Sequence, residues 1–226
     1  MRKFPKYPER IGNHIGVPKF RELLRRFLYD QIHPNASLSG DDVDISDCPN
    51  FNEPIAVFPS AYAHYYAPSD VCGAQGMVRQ VIHSTRGWKN VAARYDCVLV
   101  DTDDPTVPGL AGMYVGQVLL FFSFKFRGCD YYPCALVKWF KIIGEKPCHI
   151  TGMWMVEPEF DDDQRVMSII HVGSIIRSAH LIPIYGKHDV DSELHYSYSL
   201  DAFRAFYVSP YSDYHMYFNY SIAPAT

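Results

Sequence analysis

Residues 94–140 read RYDCVLVDTDDPTVPGLAGMYVGQVLLFFSFKFRGCDYYPCALVKWF, and the fold is decided by how this stretch alternates. Within residues 114–126, Tyr114, Gly116, Val118, Leu120, Phe122, Phe124 and Phe126 fall on one side of an extended chain. Val115, Gln117, Leu119, Phe121, Ser123 and Lys125 fall on the other. The first set is wholly apolar and the second mixed. A period of two, rich in β-branched and aromatic side chains, predicts a long strand with a bend at Gly116. Arg127, Gly128, Cys129 and Asp130 supply turn chemistry. The apolar run 134–140 then predicts the second strand of a hairpin, with Val137 and Trp139 on one face.

The rest of the composition agrees with a β core. A chain of 226 residues, 48% hydrophobic and 20% charged, can bury one sizeable core and is not disordered as a whole. Its 17 Tyr and 14 Phe favour β packing. The longest apolar run, residues 118–122, falls far short of the roughly 20 residues a membrane-spanning helix needs, and residues 1–5 lead into no apolar signal region. The expectation is a soluble, intracellular protein. In that setting the six cysteines read as reduced thiols, and the sequons at Asn35 and Asn219 as chance matches.

Charge is unevenly spread. Residues 1–30 hold Arg2, Lys3, Lys6, Arg10, Lys19, Arg21, Arg25 and Arg26 against Glu9, Glu22 and Asp30, a local +5, which leaves −9 on the remainder of a chain of net −4. A basic arm on an acidic body can meet nucleic acid, or it can pair with the body's own acidic loops. Pro5, Pro8, Gly12 and Gly16 interrupt every period across residues 1–17, which predicts an extended arm. From residue 19 to 32, Phe20, Leu23, Leu24, Phe27, Leu28 and Ile32 recur at helical spacing opposite Arg21, Arg25 and Arg26, and Pro34 ends the run.

Residues 35–54 are acidic and proline-bearing and read as a linker; a short strand follows at 55–58. Residues 61–66 form a short element, and 77–84 suggest a strand. Arg79, Arg86, Lys89 and Arg94, interleaved with Trp88, make a basic, acid-free patch of the kind that takes single-stranded nucleic acid; an exposed loop with a core-anchored tryptophan reads the same way. Alternation predicts strands at 151–156, 166–172 and 180–185. Ser174 would cap a turn through Ile175 and Ile176, and Ser199 a short helix with Leu200, Phe203, Phe206 and Tyr207 on one side.

No nucleophile elbow, phosphate-binding glycine loop or paired-histidine zinc motif occurs. Cys129, Cys134, Cys148 and His149 are the nearest approach to a zinc site, yet Cys134 opens a strand rather than a knuckle. The carboxylates at Glu157, Glu159, Asp161, Asp162 and Asp163 read as a solvated turn, and Asp41, Asp42 and Asp44 lack the glycine and distal glutamate of a calcium loop. The expectation is therefore a non-enzyme with no catalytic residue, no metal and no cofactor.

Several strings carry a resemblance: FRELLRRFLYDQ (20–31), ARYDCV (93–98), LFFSFKFRG (120–128) through YPCALVKWF (132–140), TGMW (151–154), HVGSIIRSAHLIPIYG (171–186) and SLDAFRAFYV (199–208). Over about residues 19–208 the chain resembles the C-terminal region of fungal Plavaka-type transposase genes. In such elements the DDE nuclease core lies upstream, and none of its acidic residues maps here. The resemblance thus implies a non-catalytic piece of a transposable element. A second likeness concerns the order of elements around Val137, Lys138, Trp139 and Phe140, which is similar to bromo-adjacent homology domains, β-barrels that contact chromatin.

Together these readings predict a mainly β (α+β overall) chain built on an antiparallel barrel-like core. The segments are a basic arm and amphipathic helix (1–34), an acidic linker (35–54), the β core (55–186), a loop and C-terminal helix (187–210) and an aromatic tail (211–226). The expected function is a nuclear module associated with DNA or chromatin through Arg2, Lys3, Lys6, Arg10, Arg21, Arg25 and Arg26, and through Arg79, Arg86, Trp88, Lys89 and Arg94. The alternative is a protein-interaction or structural β domain with no nucleic-acid role. No membrane or small-molecule partner is expected.

Overall fold

In the computed structural model, which describes residues 4–67, 75–87, 93–102, 109–128, 131–186, 190, 193–213 and 215–217, the fold is hung on one hairpin. Its strands, β6 (Met113–Lys125) and β7 (Tyr131–Ile143), are thirteen residues each, so the second is longer than its apolar run suggested. The outer edge of β6 pairs with β5 (Cys97–Asp101) near one end and with β1 (Ala56–Phe58) near the other. The outer edge of β7 pairs likewise with β8 (Trp154–Pro158) and β11 (Met167–His171). Each end of the hairpin therefore belongs to a different wall.

Beyond β8 the sheet continues through β14 (Phe206–Val208) to β13 (Leu181–Pro183), and beyond β5 to β12 (Ile175–Ala179). A single 3-10 turn, Val172–Ser174, carries the chain from β11 on the edge of β7 to β12 on the edge of β5. This brings the antiparallel sheet close to a closed barrel, an arrangement that leaves few strand edges unpaired. A separate ribbon of β2 (Ser60–Tyr66), β3 (Met77–Thr85) and β4 (Arg94–Tyr95) lies across the barrel. A small hairpin, β9 (Phe160–Asp161) and β10 (Gln164–Arg165), holds the acidic run, with Asp162 and Asp163 both at positive φ in its exposed two-residue turn.

Among the described residues the buried apolar side chains separate into three clusters. In one, α1 (Pro8–Ile15) and α2 (Phe20–Ile32) press Ile11, Phe20, Leu24 and Leu28 onto Leu120, Phe122 and Phe124, with the Phe20 and Phe122 rings edge to face at 5.3 Å. In the second, Val118, Phe121, Ala135 and Val137 meet Ala63 and Ile82 of the ribbon. The third gathers Leu99, Val115, Phe140, Val156, Phe206 and Val208. Among the described residues no helix is long and apolar enough to cross a membrane.

Several expectations are corrected. Register in the hairpin slips between Val118 and Leu120, so the irregularity is a β-bulge at Leu119 and not a bend at Gly116. The faces swap there: Val118 packs with Phe121, while Leu120 packs with Phe122 and Phe124. Gly116 serves close approach instead, since a Cβ would overlap Val137 Cγ1 and come within 3.1 Å of the Trp139 ring. Residues 8–15 are helix rather than extended arm: Pro8 sits in the first turn, where its fixed φ suits a helix, and Gly16 at φ 76° ends it. Punctuation that looked like interruption is a start and a stop.

Residues 175–179 form β12 rather than a capped turn, and the turn before it is capped by His171, whose Nδ1 accepts from the Gly173 amide at 3.0 Å. The C-terminal helix α3 (Ser199–Ala202) is one turn long, with Tyr198 in the N-cap position and no side-chain cap. Phe206 and Tyr207 are not on it: they lie in β14, inside the main sheet, between β8 and β13. The β structure thus extends past residue 186. Residues 211–213 and 215–217 pack against it as well, with Met216 fully buried.

Candidate nucleic-acid interface

The ribbon of β2 and β3 has two unlike faces. Inward, Ala61, Ala63 and Ala67 alternate along and just past β2, so the ribbon can lie close to the barrel, and Ile82 of β3 is buried beside them. The ribbon is fastened to β12 at two points. Gln80 Oε1 accepts from the Ser178 amide at 2.9 Å, and the Tyr65 ring lies 4.4 Å from the Arg177 guanidinium.

Outward, the register places Tyr62 opposite Val81, His64 opposite Arg79 and Tyr66 opposite Met77, and all six side chains are exposed. Tyr62 and Tyr66 are 51% and 62% exposed, well beyond what a ring packed for stability keeps. The Arg79 guanidinium stands 3.7 Å over the Tyr62 ring. The two rings are separated along β2 by about 13 Å at roughly 3.3 Å per residue. Residues 58–67 and 75–87 contain no Asp or Glu. This is a fixed, acid-free surface of aromatic faces with a cation among them, the chemistry on which unpaired bases stack.

Of the basic residues singled out from sequence, Arg79 lies on this surface, and Arg86 is exposed just past the end of β3. Arg94, on β4, is ion-paired with Asp96 at 2.8 Å, and Asp96 also accepts from the His83 amide at 2.8 Å. Lys6 and Arg10 are exposed near the start of the chain, where the Lys6 carbonyl accepts from the Ile55 amide at 2.7 Å. Arg2, Lys3, Trp88 and Lys89 lie outside the described residues.

The basic face of α2 is turned to the protein itself. Arg25 donates to the carbonyls of Ile45, Cys48 and Pro49 at 2.6–3.0 Å, and Arg26 to those of Gly40, Asp41 and Val43 at 2.6–3.2 Å and to the Glu22 carboxylate. Arg21 donates to Asn50 at 3.0 Å. The segment 35–54 is strapped over the helix, with Gly40 so close that a Cβ would overlap the Arg26 carbonyl. Sequence could not show this, because the acceptors are main-chain carbonyls, which carry no residue signature. The residues it missed, Tyr62, His64, Tyr66, Met77 and Val81, did leave a signal: aromatic and imidazole side chains at every second position, with alanines between.

Among the described residues no three His, Cys, Asp or Glu side chains converge on a metal-sized site. Cys134 is buried in β7, where burial pushes its thiol up, and Cys129 lies outside the described residues. Cys148 differs. It opens a turn in which the Thr151 hydroxyl, the Thr151 and Ile150 amides and, at 3.8 Å, the Tyr207 hydroxyl all face its sulfur, and this pulls the thiol down to about 6. Iodoacetamide should therefore modify Cys148 in the folded protein with a midpoint near pH 6, rather than the about 8.5 of an ordinary thiol, while Cys97, pushed up to about 12 by burial, stays unmodified. A midpoint above pH 8, read by peptide mass spectrometry, would refute the turn as the cause, as would an unchanged midpoint in Thr151→Val.

Comparison of the chain with protein-family models, with curated proteins and with solved structures gave no match.

Proposed function

We propose that the chain is a non-catalytic nucleic-acid-binding module that takes single strands on the outer face of β2 and β3. The observation that carries this reading is the exposed ladder of Tyr62 with Val81, His64 with Arg79 and Tyr66 with Met77 on a ribbon whose other face is fastened to the barrel. Stacking on an aromatic ring is indifferent to base identity, so the expected specificity is for unpaired strand over duplex rather than for sequence. The strings similar to transposase-derived genes fit a nuclear module that handles element DNA or its transcripts. Arg79 and Arg86, not the α2 arginines, supply the phosphate contacts.

Fluorescence anisotropy with labelled single-stranded and duplex DNA and RNA tests this. Single strands should bind more tightly than duplex. Tyr62→Ala and Tyr66→Ala should each weaken binding by about 5- to 150-fold, from about 1–3 kcal/mol per stacked base, without loss of fold, since both rings are exposed. The logarithm of affinity should fall against log salt with a slope of only roughly −1.4 for two phosphate contacts. Binding that prefers duplex, or that ignores both tyrosine changes, would sink the reading. Absence of binding would return the ladder to the alternative of a protein contact.

A further inference from the structure

A cleft of about 320 Å³ opens where β6 changes partner. On that edge β5 pairing ends at Gln117 and β1 pairing begins at Phe121, so Leu119 and Leu120 between them are outside both ladders. Leu119 and Leu120 line the cleft from the bulge, and Phe58, Ile15 and Phe4 add apolar walls. Its polar side comes from the end of β3. Ser84 is 5% exposed and donates its amide to the Pro59 carbonyl at 2.8 Å, yet its Oγ is buried with no hydrogen-bond partner among the described residues. Arg86, two residues on, is exposed, lines the same cleft and makes no ion pair among the described residues.

A buried hydroxyl without a partner is costly, and native proteins keep few of them. An apolar cleft of this volume with one such hydroxyl and one cation has the anatomy of a small-molecule site: walls that exclude water and a few polar groups that orient the ligand. The charge at its edge is positive, and a guanidinium suits a carboxylate, which accepts from its paired N–H groups. We propose that this cleft binds a small carboxylic acid with an aromatic or short aliphatic body, its carboxylate taken by Arg86 and its body held against Leu119, Phe58 and Ile15. The cleft shares Arg86 with the nucleic-acid reading but none of its aromatic ladder, because Tyr62 and Tyr66 do not line it.

The test uses benzoate, phenylacetate and hexanoate as probes, with benzyl alcohol as the uncharged counterpart, on the full chain by saturation-transfer NMR and thermal shift. At least one acid should bind saturably and raise Tm, and benzyl alcohol should bind about tenfold more weakly or worse. Arg86→Gln, at an exposed position, should weaken the acid by about tenfold, and Leu119→Trp should abolish binding by filling the cleft. Tyr62→Ala should leave acid binding unchanged. The proposal is overturned if no acid binds, if the alcohol binds as well as the acids, or if folded Arg86→Gln binds like the parent protein.

Discussion

Replacing Asp213 with alanine should destabilise the protein by about 3–5 kcal/mol, read as a fall of roughly 6–20 °C in Tm, although the residue lies in a stretch that reads as a tail. Its partner, Arg177 on β12, is only 1% exposed. The guanidinium is held by both Asp213 carboxylate oxygens, the first at 3.2 Å from Nη1; His215 Nδ1 lies 3.4 Å from Nη1, and the Tyr65 ring covers one face. Asp213 also accepts from the Met216 amide at 2.7 Å, which helps fix Met216 in the core. Removing the carboxylate strands a charge in the interior, and that penalty exceeds the net worth of the pair. Arg177→Met with Asp213→Leu should therefore recover much of the loss, because no ion is left to desolvate. Urea unfolding of the parent protein and the two variants decides it: a loss below about 1 kcal/mol in Asp213→Ala would mean that water reaches Arg177.

The same contact sets an acid limit. Partial burial pushes the Asp213 carboxyl up, but the Arg177 guanidinium and the Met216 amide donating to it outweigh this and hold it below its ordinary range. A carboxylate depressed in the folded state contributes its stability above the unfolded pKa. That contribution is full at neutral pH and fades as pH falls from about 5 through the depressed value. Asp213→Ala should flatten this part of the stability profile.

The second large effect concerns α2. Arg25→Ala with Arg26→Ala should cost roughly 3–5 kcal/mol, since each removes charge-assisted hydrogen bonds worth about 1.5–3 kcal/mol from a set of carbonyls of which, among the described residues, Ile45 alone also accepts from a backbone amide, that of Cys48. Protease cleavage within residues 40–50 should appear at once. Affinity for single-stranded nucleic acid, measured on the folded fraction, should change less than about twofold, because neither guanidinium is offered to a phosphate. A tenfold loss of affinity with residues 40–50 still protected would reinstate α2 as the nucleic-acid element.

The long hairpin was legible because its signal is local: Tyr, Phe, Val and Leu in a run that only an extended chain can bury. What misled was that both faces of β6 are buried. With Gln117 and Ser123 buried like their apolar neighbours, no solvent face marks the swap at Leu119, and alternation alone groups Val118 with Leu120 rather than with Phe121. The amphipathic α2 was equally clear, since a stripe at helical spacing needs no knowledge of what it packs on. Its opposite face was not, because a row of arginines looks the same whether it meets phosphate or carbonyl oxygen. Arg79 is legible as a cation and is exposed on the ribbon, whereas the exposure of Tyr62 and Tyr66 around it is a property of the packed molecule.

The sequence by itself determined the β class, the central hairpin and the helix at residues 20–32, each carried by periodicity within one segment. Tertiary structure alone decided which arginines are free, which face of β2 and β3 meets solvent, where β6 leaves a cleft and how residue 213 reaches residue 177. Those depend on pairings between segments far apart in the chain, and no local pattern encodes the partner.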